Sequence, residues 1–261
     1  MWGSVPADPL LCVGSSMRRV VAFVRAILLG TILSSVCVNA ASADFEIDDE
    51  KTVLFFSGRD IWYHGAFTHG GLLWSPRGLD RPGFTLKFLL GAGVYRYVSG
   101  ALGDIPVLGY QAIGFALPGW RFQQDRVTFT LFAGVDVQHH RFFPDDPSNS
   151  LRGTRVGIRG GLDLWFEPKP HTMISLDLSA SSVGPSYSAR LALGWRLADI
   201  VYIGPEMGGF AHGDNYNQVR LGLHLTGVKV NELECSVAFG WAFDNSDRDS
   251  LYGRVGVHLR K

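Results

Sequence analysis

From residue 51 onward, apolar and polar residues alternate again and again at period 2, and no stretch keeps a persuasive 3.6-residue rhythm. Period 2 sends successive side chains to opposite faces of an extended strand, so the chain is committed to β-sheet. In 127–138, Val127, Phe129, Leu131, Ala133, Val135 and Val137 alternate with Thr128, Thr130, Gly134, Asp136 and Gln138. In 154–166, Val156, Ile158, Leu162, Leu164 and Phe166 oppose Arg155, Arg159 and Asp163. Leu191, Leu193, Trp195 and Leu197 oppose Ser188, Arg190 and Arg196; Val219, Leu221, Leu223 and Leu225 oppose Gln218, Arg220 and His224. The pattern predicts twelve strands, at 52–63, 67–75, 83–97, 107–121, 126–140, 154–166, 172–182, 187–197, 200–210, 217–228, 232–243 and 251–260. Most meet or exceed the roughly 9–11 residues that a tilted membrane strand needs.

A soluble barrel hides its apolar face inside; a membrane barrel turns it outward and keeps a polar lumen. The polar faces here carry Lys87, Asp136, Arg155, Arg159, Asp163, Asp177, Arg190, Arg196, Glu206, Arg220, Glu234 and Arg254, mixed with Gly and Ser. The longest gaps, 98–106, 141–153, 211–216 and 244–250, follow odd strands, while those after even strands are short except for 76–82. That is the asymmetry of outer-membrane barrels, with short periplasmic turns and longer outer loops. The expected fold is therefore all-β: one closed antiparallel up-and-down transmembrane barrel of about twelve strands, with both termini in the periplasm. Tyr95, Tyr97, Trp120, Phe122, Trp195, Tyr202 and Trp241 lie near strand ends, where interfacial girdles are expected.

Ahead of the barrel, Met17-Arg18-Arg19 and Arg25 precede the apolar run Ala26 to Val38 and the small-residue site Ala41-Ser42-Ala43. This layout reads as a secretory signal peptide over residues 1–43, with a natural start at Met17 and a short periplasmic lead-in at 44–51. Removing Arg18, Arg19, Arg25 and Asp8 from 24 basic and 24 acidic residues leaves 21 and 23, which argues against nucleic acid. Cys235 alone outlasts the leader, so no internal disulfide forms. A closed hydrogen-bond ladder must hold the fold instead.

Seven segments spread over the chain carry a family likeness. They are FSGRDIWYHGAFTHGGLLWSP (56–76), GFTLKFLLGAGVYRY (83–97), LPGWRF (117–122), FAGVDVQHHRFFPDD (132–146), GLDLWFEP (161–168), YSARLALGWRL (187–197) and YIGPE (202–206). In this order they resemble the BcsS family of cellulose biosynthesis proteins. The resemblance implies a gram-negative envelope protein that accompanies the cellulose synthase machinery and its β-glucan. It brings no catalytic residues with it.

A local repeat stands out: Gly58-x-Asp60-x-Trp62, Gly134-x-Asp136 and Gly161-x-Asp163-x-Trp165. Each copy shares one face, assigned to the lumen, but strand direction sends Trp62 and Trp165 to opposite mouths, so the copies build no single active site. The same bookkeeping gathers Asp60, Trp62, Asp136, Gln138, Arg155, Arg159, Arg190, Gln218, Arg220 and Arg254 toward the outer half of the lumen. Such a cluster binds a glycan, lines a pore, or plugs the pore by pairing its own charges; buried charges are costly unless paired, which favours pairing. Adjacent His139 and His140 point to opposite faces, so they are not read as a metal site. A hydrolase would need a nucleophile beside a base; Ser188 and His224 can both face inward, but no motif frames them. No cofactor signature is present. The reading is a non-enzymatic outer-membrane barrel passing, anchoring or organising glucan, with a narrow small-solute porin or an adhesive barrel as alternatives.

Overall fold

A computed structural model describes residues 50–197, 200–212, 216–245 and 248–261. The signal peptide and most of the lead-in lie outside them. Twelve antiparallel strands close into one barrel: β1 (Val53–Trp62), β2 (Gly65–Trp74), β3 (Gly83–Ser99), β4 (Ile105–Gln124), β5 (Val127–Phe143), β6 (Gly153–Phe166), β7 (Thr172–Ser181), β8 (Ser186–Leu197), β9 (Val201–His212), β10 (Tyr216–Val230), β11 (Leu233–Asp244) and β12 (Ser250–Arg260). Each strand pairs with its sequence neighbours, and β1 closes on β12 through a register running from Leu54↔Arg260 to Trp62↔Tyr252. Beyond it, Thr52 and Val53 donate to the Lys261 carbonyl and Lys261 donates back to Val53, each at 2.8 Å.

The expected alternation is realised with the apolar side out. Along β5, Leu131, Val135 and Val137 are exposed while Thr130, Phe132, Asp136, Gln138 and His140 are buried. Ile158 is 73% exposed and Asp136 0%. A water-soluble protein would reverse this order. Trp120, Phe122, Trp195 and Trp241 point outward, as a girdle requires. Tyr95, Tyr97 and Tyr202 do not. Tyr95 and Tyr97 share the parity of Lys87, Tyr202 shares that of Glu206, and all three face the lumen. Position near a strand end is overruled by parity.

Connections after odd strands define a loop end; those after even strands share the terminal end with the chain ends. Strand β4 runs 105–124 and β5 runs 127–143, so the loop-end connections shrink from the expected 98–106 and 141–153 to 100–104 and 144–152. The length contrast between the two ends is narrower than the sequence suggested. The 75–82 connection stays long because it folds back on the barrel. Leu79 is buried against Leu73, Leu117 and Phe132, and Arg121 donates to its carbonyl. The tight turns Asp125–Arg126 and Asn231–Glu232 place Asp125 and Asn231 in the left-handed region that short hairpins demand.

One defect in the ladder shows how strictly the wall is kept closed. Pro205 in β9 has no N–H, and the β8–β9 register skips from Ala192↔Glu206 to Trp195↔Ile203. The Leu193 carbonyl, left without its strand partner, accepts instead from His224 Nε2 at 3.0 Å. His224 belongs to β10 and reaches across β9 over Gly204, where a Cβ would stand 2.0 Å from that same oxygen. Thr226 fixes the tautomer through Nδ1 at 3.0 Å. His224 is thus spent on the wall.

Replacing outward Leu223 with Arg is expected to cost about 2–4 kcal/mol of folding in bilayers if the site lies near the midplane, read by urea titration of heat-modifiable mobility. An outward charge tolerated as well as Leu would contradict the inverted faces.

Candidate functional site

The inward faces converge on a set of ion pairs that cross the lumen. Asp60 on β1 bonds Arg220 on β10 at 2.8 Å, and Lys87 on β3 bonds Asp163 on β6 at 2.7 Å. Glu206 on β9 holds two cations, Arg190 at 2.8 Å and Arg254 on β12 at 2.5 Å. Arg190 also reaches Asp177 on β7 at 3.0 Å. Arg159 bonds Asp136 at 2.8 Å and Ser179 at 2.8 Å. Three of these pairs join strands that are not ladder neighbours, so they brace the cylinder as chords. Asp60, Asp136, Asp163, Asp177 and Glu206 meet Lys87, Arg159, Arg190, Arg220 and Arg254. Five acids and five bases cancel.

Aromatic rings support the cations. The Arg220 guanidinium lies 5.0 Å from the Trp62 ring and 5.4 Å from both Phe210 and Tyr252, and its Nε donates to Gln218 at 2.7 Å. Lys87 lies 5.0 Å over Phe132. Ring contacts of this kind add attraction to a cation already paired. A buried polar chain runs along β5. Gln138 donates to Asp136 at 2.8 Å, His140 Nε2 meets the Gln138 oxygen at 3.1 Å, and Tyr95 meets His140 Nδ1 at 3.2 Å. Ser181 completes the cradle around Asp136.

Of the residues expected to gather in the lumen, Asp60, Trp62, Gln218 and Arg220 form one cluster; Asp136, Gln138 and Arg159 form a second; Arg190 and Arg254 meet through Glu206. Arg155 is the exception. It has inward parity but is exposed, because β7 pairs with β6 only from Arg159↔Ser181 downward and leaves the tip of β6 standing clear. Trp62 packs with Tyr252 at the loop end, and Trp165 packs 5.8 Å from Tyr202 at the other. The repeated Gly-x-Asp motifs therefore serve opposite mouths. Ser188 and His224 are not assembled: across the register Ser188 aligns with Phe210 and His224 with Gly204, six residues apart on β9. His140 is inward and His139 outward, bonded to Thr154 at 2.9 Å; among the described residues no group of three metal-ligating side chains occurs. Glu206, Phe210 and Tyr252 were absent from the expected cluster, although parity with neighbouring inward residues places them there.

Between and beside the ion pairs lies a cavity of about 1790 Å³, lined from Tyr97 and Asn149 at the loop end to Glu234 and Arg260 at the terminal end.

Residues 54–261 match the family model described as cellulose biosynthesis protein BcsS. The chain belongs to the BcsS family. No curated protein sequence matches it. Among solved structures, the BcsS barrel is similar to the COG4313 outer membrane channel from Pseudomonas putida F1, at 12% identity and a TM-score of 0.51, covering 85% of this chain and 100% of that one. It is also similar to the TodX deltaS2S3 mutant monoaromatic hydrocarbon channel, at 9% identity and a TM-score of 0.52, covering 80% and 90%. These likenesses are of fold: the BcsS barrel is built as outer-membrane barrels are.

Over the loop end of the BcsS barrel, connection 144–152 bends inward and buries Leu151 against Val107, Phe142 and Val183. Asp146 is its latch. Its carboxylate accepts from Tyr97 at 2.9 Å and from Ser148 at 2.5 Å, and Asn149 donates to Tyr97 at 3.1 Å. Burial pushes the Asp146 carboxyl up, but hydrogen bonds from Ser148, Ser99 and Tyr97 outweigh it and hold the group below its usual 3.8.

Two tests follow from this geometry. Glu206→Gln leaves Arg190 and Arg254 sharing less negative charge, and should cost about 3 kcal/mol in urea unfolding while shifting reversal potential toward anion selectivity; unchanged stability would deny Glu206 its bracing role. Because Asp146 titrates lower in the folded chain than in the unfolded one, its contribution is complete above pH 3.8 and disappears as pH falls through the depressed value. Protection of the 144–152 amides, taken relative to their intrinsic exchange rates, should fall only on that acid side, and Asp146→Asn should show weak protection at every pH.

Proposed function

We propose that this BcsS-family barrel is a non-enzymatic outer-membrane component of cellulose production that passes or holds the nascent glucan at the cell surface, working beside the cellulose synthase machinery. The carrying observation is a lumen in which five acids and five bases pair off around a cavity lined at both mouths. The ten paired groups add no net field of the kind that steers charged ligands. Cellulose is neutral. Paired charges offer its hydroxyls donors and acceptors without a net field, and inward rings at either mouth, such as Tyr95 and Trp165, suit the flat faces of its sugars.

Orientation follows the loops. With termini in the periplasm, connection 144–152 lies outside, where the polymer would leave. A narrow porin for small solutes is the second reading, favoured by the same two-ended cavity.

The deciding measurements are paired. Purified barrel in planar bilayers should give small, weakly ion-selective channels that cello-oligosaccharides block from one side and oligogalacturonates do not. Deleting the gene should lower surface cellulose while leaving outer-membrane permeability to small sugars unchanged. Normal surface cellulose together with slowed sugar uptake would move the assignment to the porin; normal cellulose without conductance would move it to an adhesive barrel.

A further inference from the structure

The outer wall carries a charge that the fold does not neutralise. Arg59 sits in β1 between Gly58 and Asp60, both inward, so it faces the lipid side. It has no acidic or hydrogen-bonding partner among the described residues, and its Nε is buried without a partner. No outward position of any strand is acidic, so neither this barrel nor a second copy of its wall offers a counter-charge from its strands. A cation held on a lipid face is costly and marks a function when it persists.

The outward cations are one-sided. Outward positions of β6 to β12 carry none; those of β1, β3 and β5 carry Arg59, Arg96 and Arg141, all in the loop-end half of the wall. Arg96 and Arg141 are exposed. Arg141 senses Asp145, but that carboxylate is already bridged to Arg152 at 2.8 Å. Arg59 and Arg96 stand two strands apart with Arg96 four residues nearer the loops, about 16 Å between their Cα positions, and Arg141 stands two strands further on, two residues below the level of Arg96, about 12 Å from it.

The wall between them is low and ends in an aromatic. Arg59 aligns across the sheet with Thr68, Ala92, Ala112 and His139; the next row toward the loops reads Ile61, Ala66, Val94, Tyr110 and Arg141. Thr68, Ala92 and Ala66 leave a shallow trough through which the Arg59 guanidinium can reach toward the interface, its stem lying along apolar wall. Tyr110, exposed between Arg96 and Arg141, sits at the level where amphipathic rings meet headgroups.

We propose that this strip is a lipid-binding site for phosphate-bearing headgroups, in which Arg59, Arg96 and Arg141 receive phosphate oxygens and the trough over Thr68, Ala92 and Ala66 takes an acyl chain. A guanidinium matches phosphate geometry through paired N–H donors. The site does not depend on what the lumen carries. Either an outer-leaflet glycolipid or an anionic phospholipid presents this chemistry.

Native mass spectrometry of the detergent-purified barrel tests it, with bisphosphorylated lipid A, dephosphorylated lipid A and phosphatidylglycerol as separate probes. The wild type should retain at least one phosphorylated lipid, with retention falling five-fold or more when the phosphates are removed. The Arg59→Gln/Arg96→Gln/Arg141→Gln variant should lose retention to a similar degree, while Lys229→Gln/Arg260→Gln at the terminal end should not. Preference for lipid A identifies the glycolipid source, and preference for phosphatidylglycerol the phospholipid. Equal retention of phosphorylated and dephosphorylated lipid A with no retention of phosphatidylglycerol, a result that needs no variant to fold, would overturn the site. So would a heat-modifiable triple variant that binds as the wild type does.

Discussion

A backbone amide turned toward hydrocarbon has no water to bond with, and nearly every feature of this chain answers to that fact. It explains why β1 must close on β12 and why Lys261 is stitched to Thr52 and Val53. It also explains the most unusual side-chain contact in the wall. Pro205 removes one donor from the β8–β9 ladder, and His224 crosses an entire strand to replace it. Gly204 is required beneath that imidazole, because any Cβ would strike the Leu193 carbonyl. Three residues that look unrelated along the sequence are one repair.

The same constraint sets the character of the lumen. Once the apolar side chains are committed outward, the interior must be filled by what remains, which is charge, amide, hydroxyl and glycine. Charges in a confined space have to meet partners or be hydrated. Here they meet partners across the cylinder, so the polar interior that closure imposes becomes a second set of braces. Glu206 is the clearest case, since it draws together β8, β9 and β12 through two guanidinium groups. Cancellation of charge among these ten groups is then a by-product of stability.

Much of this was legible because period 2 is a rigid rule. All twelve strands stand where the alternation put them, within a few residues at each end, and Leu131, Ile158 and Leu223 point outward as their neighbours required. Applied consistently, the rule also reaches Tyr95, Tyr97 and Tyr202, since Lys87 and Glu206 fix the parity of β3 and β9; only their nearness to strand ends disguised it. What alternation does not encode is which inward residue meets which. The pairing of Asp60 with Arg220 spans 160 residues, and it depends on tilt, closure and register together. Arg155 fails for a related reason: its parity is right, but the height of β7 decides whether an inward direction has a lumen to point into.

Arg59 marks the place where the wall departs from its own rule. An outward apolar residue there would have continued the pattern of Phe55 and Ile61, and nothing in the ladder asks for a charge, since Thr68 and Val255 opposite it contribute no acid. The lumen shows that this chain pairs cations readily when acids are within reach, so an outward arginine without one is not a shortage of acidic residues in the sequence. The missing negative charge has to come from the surroundings of the barrel, and on a lipid-facing wall a few residues from the loop end the nearest supply is the phosphate layer of the membrane itself.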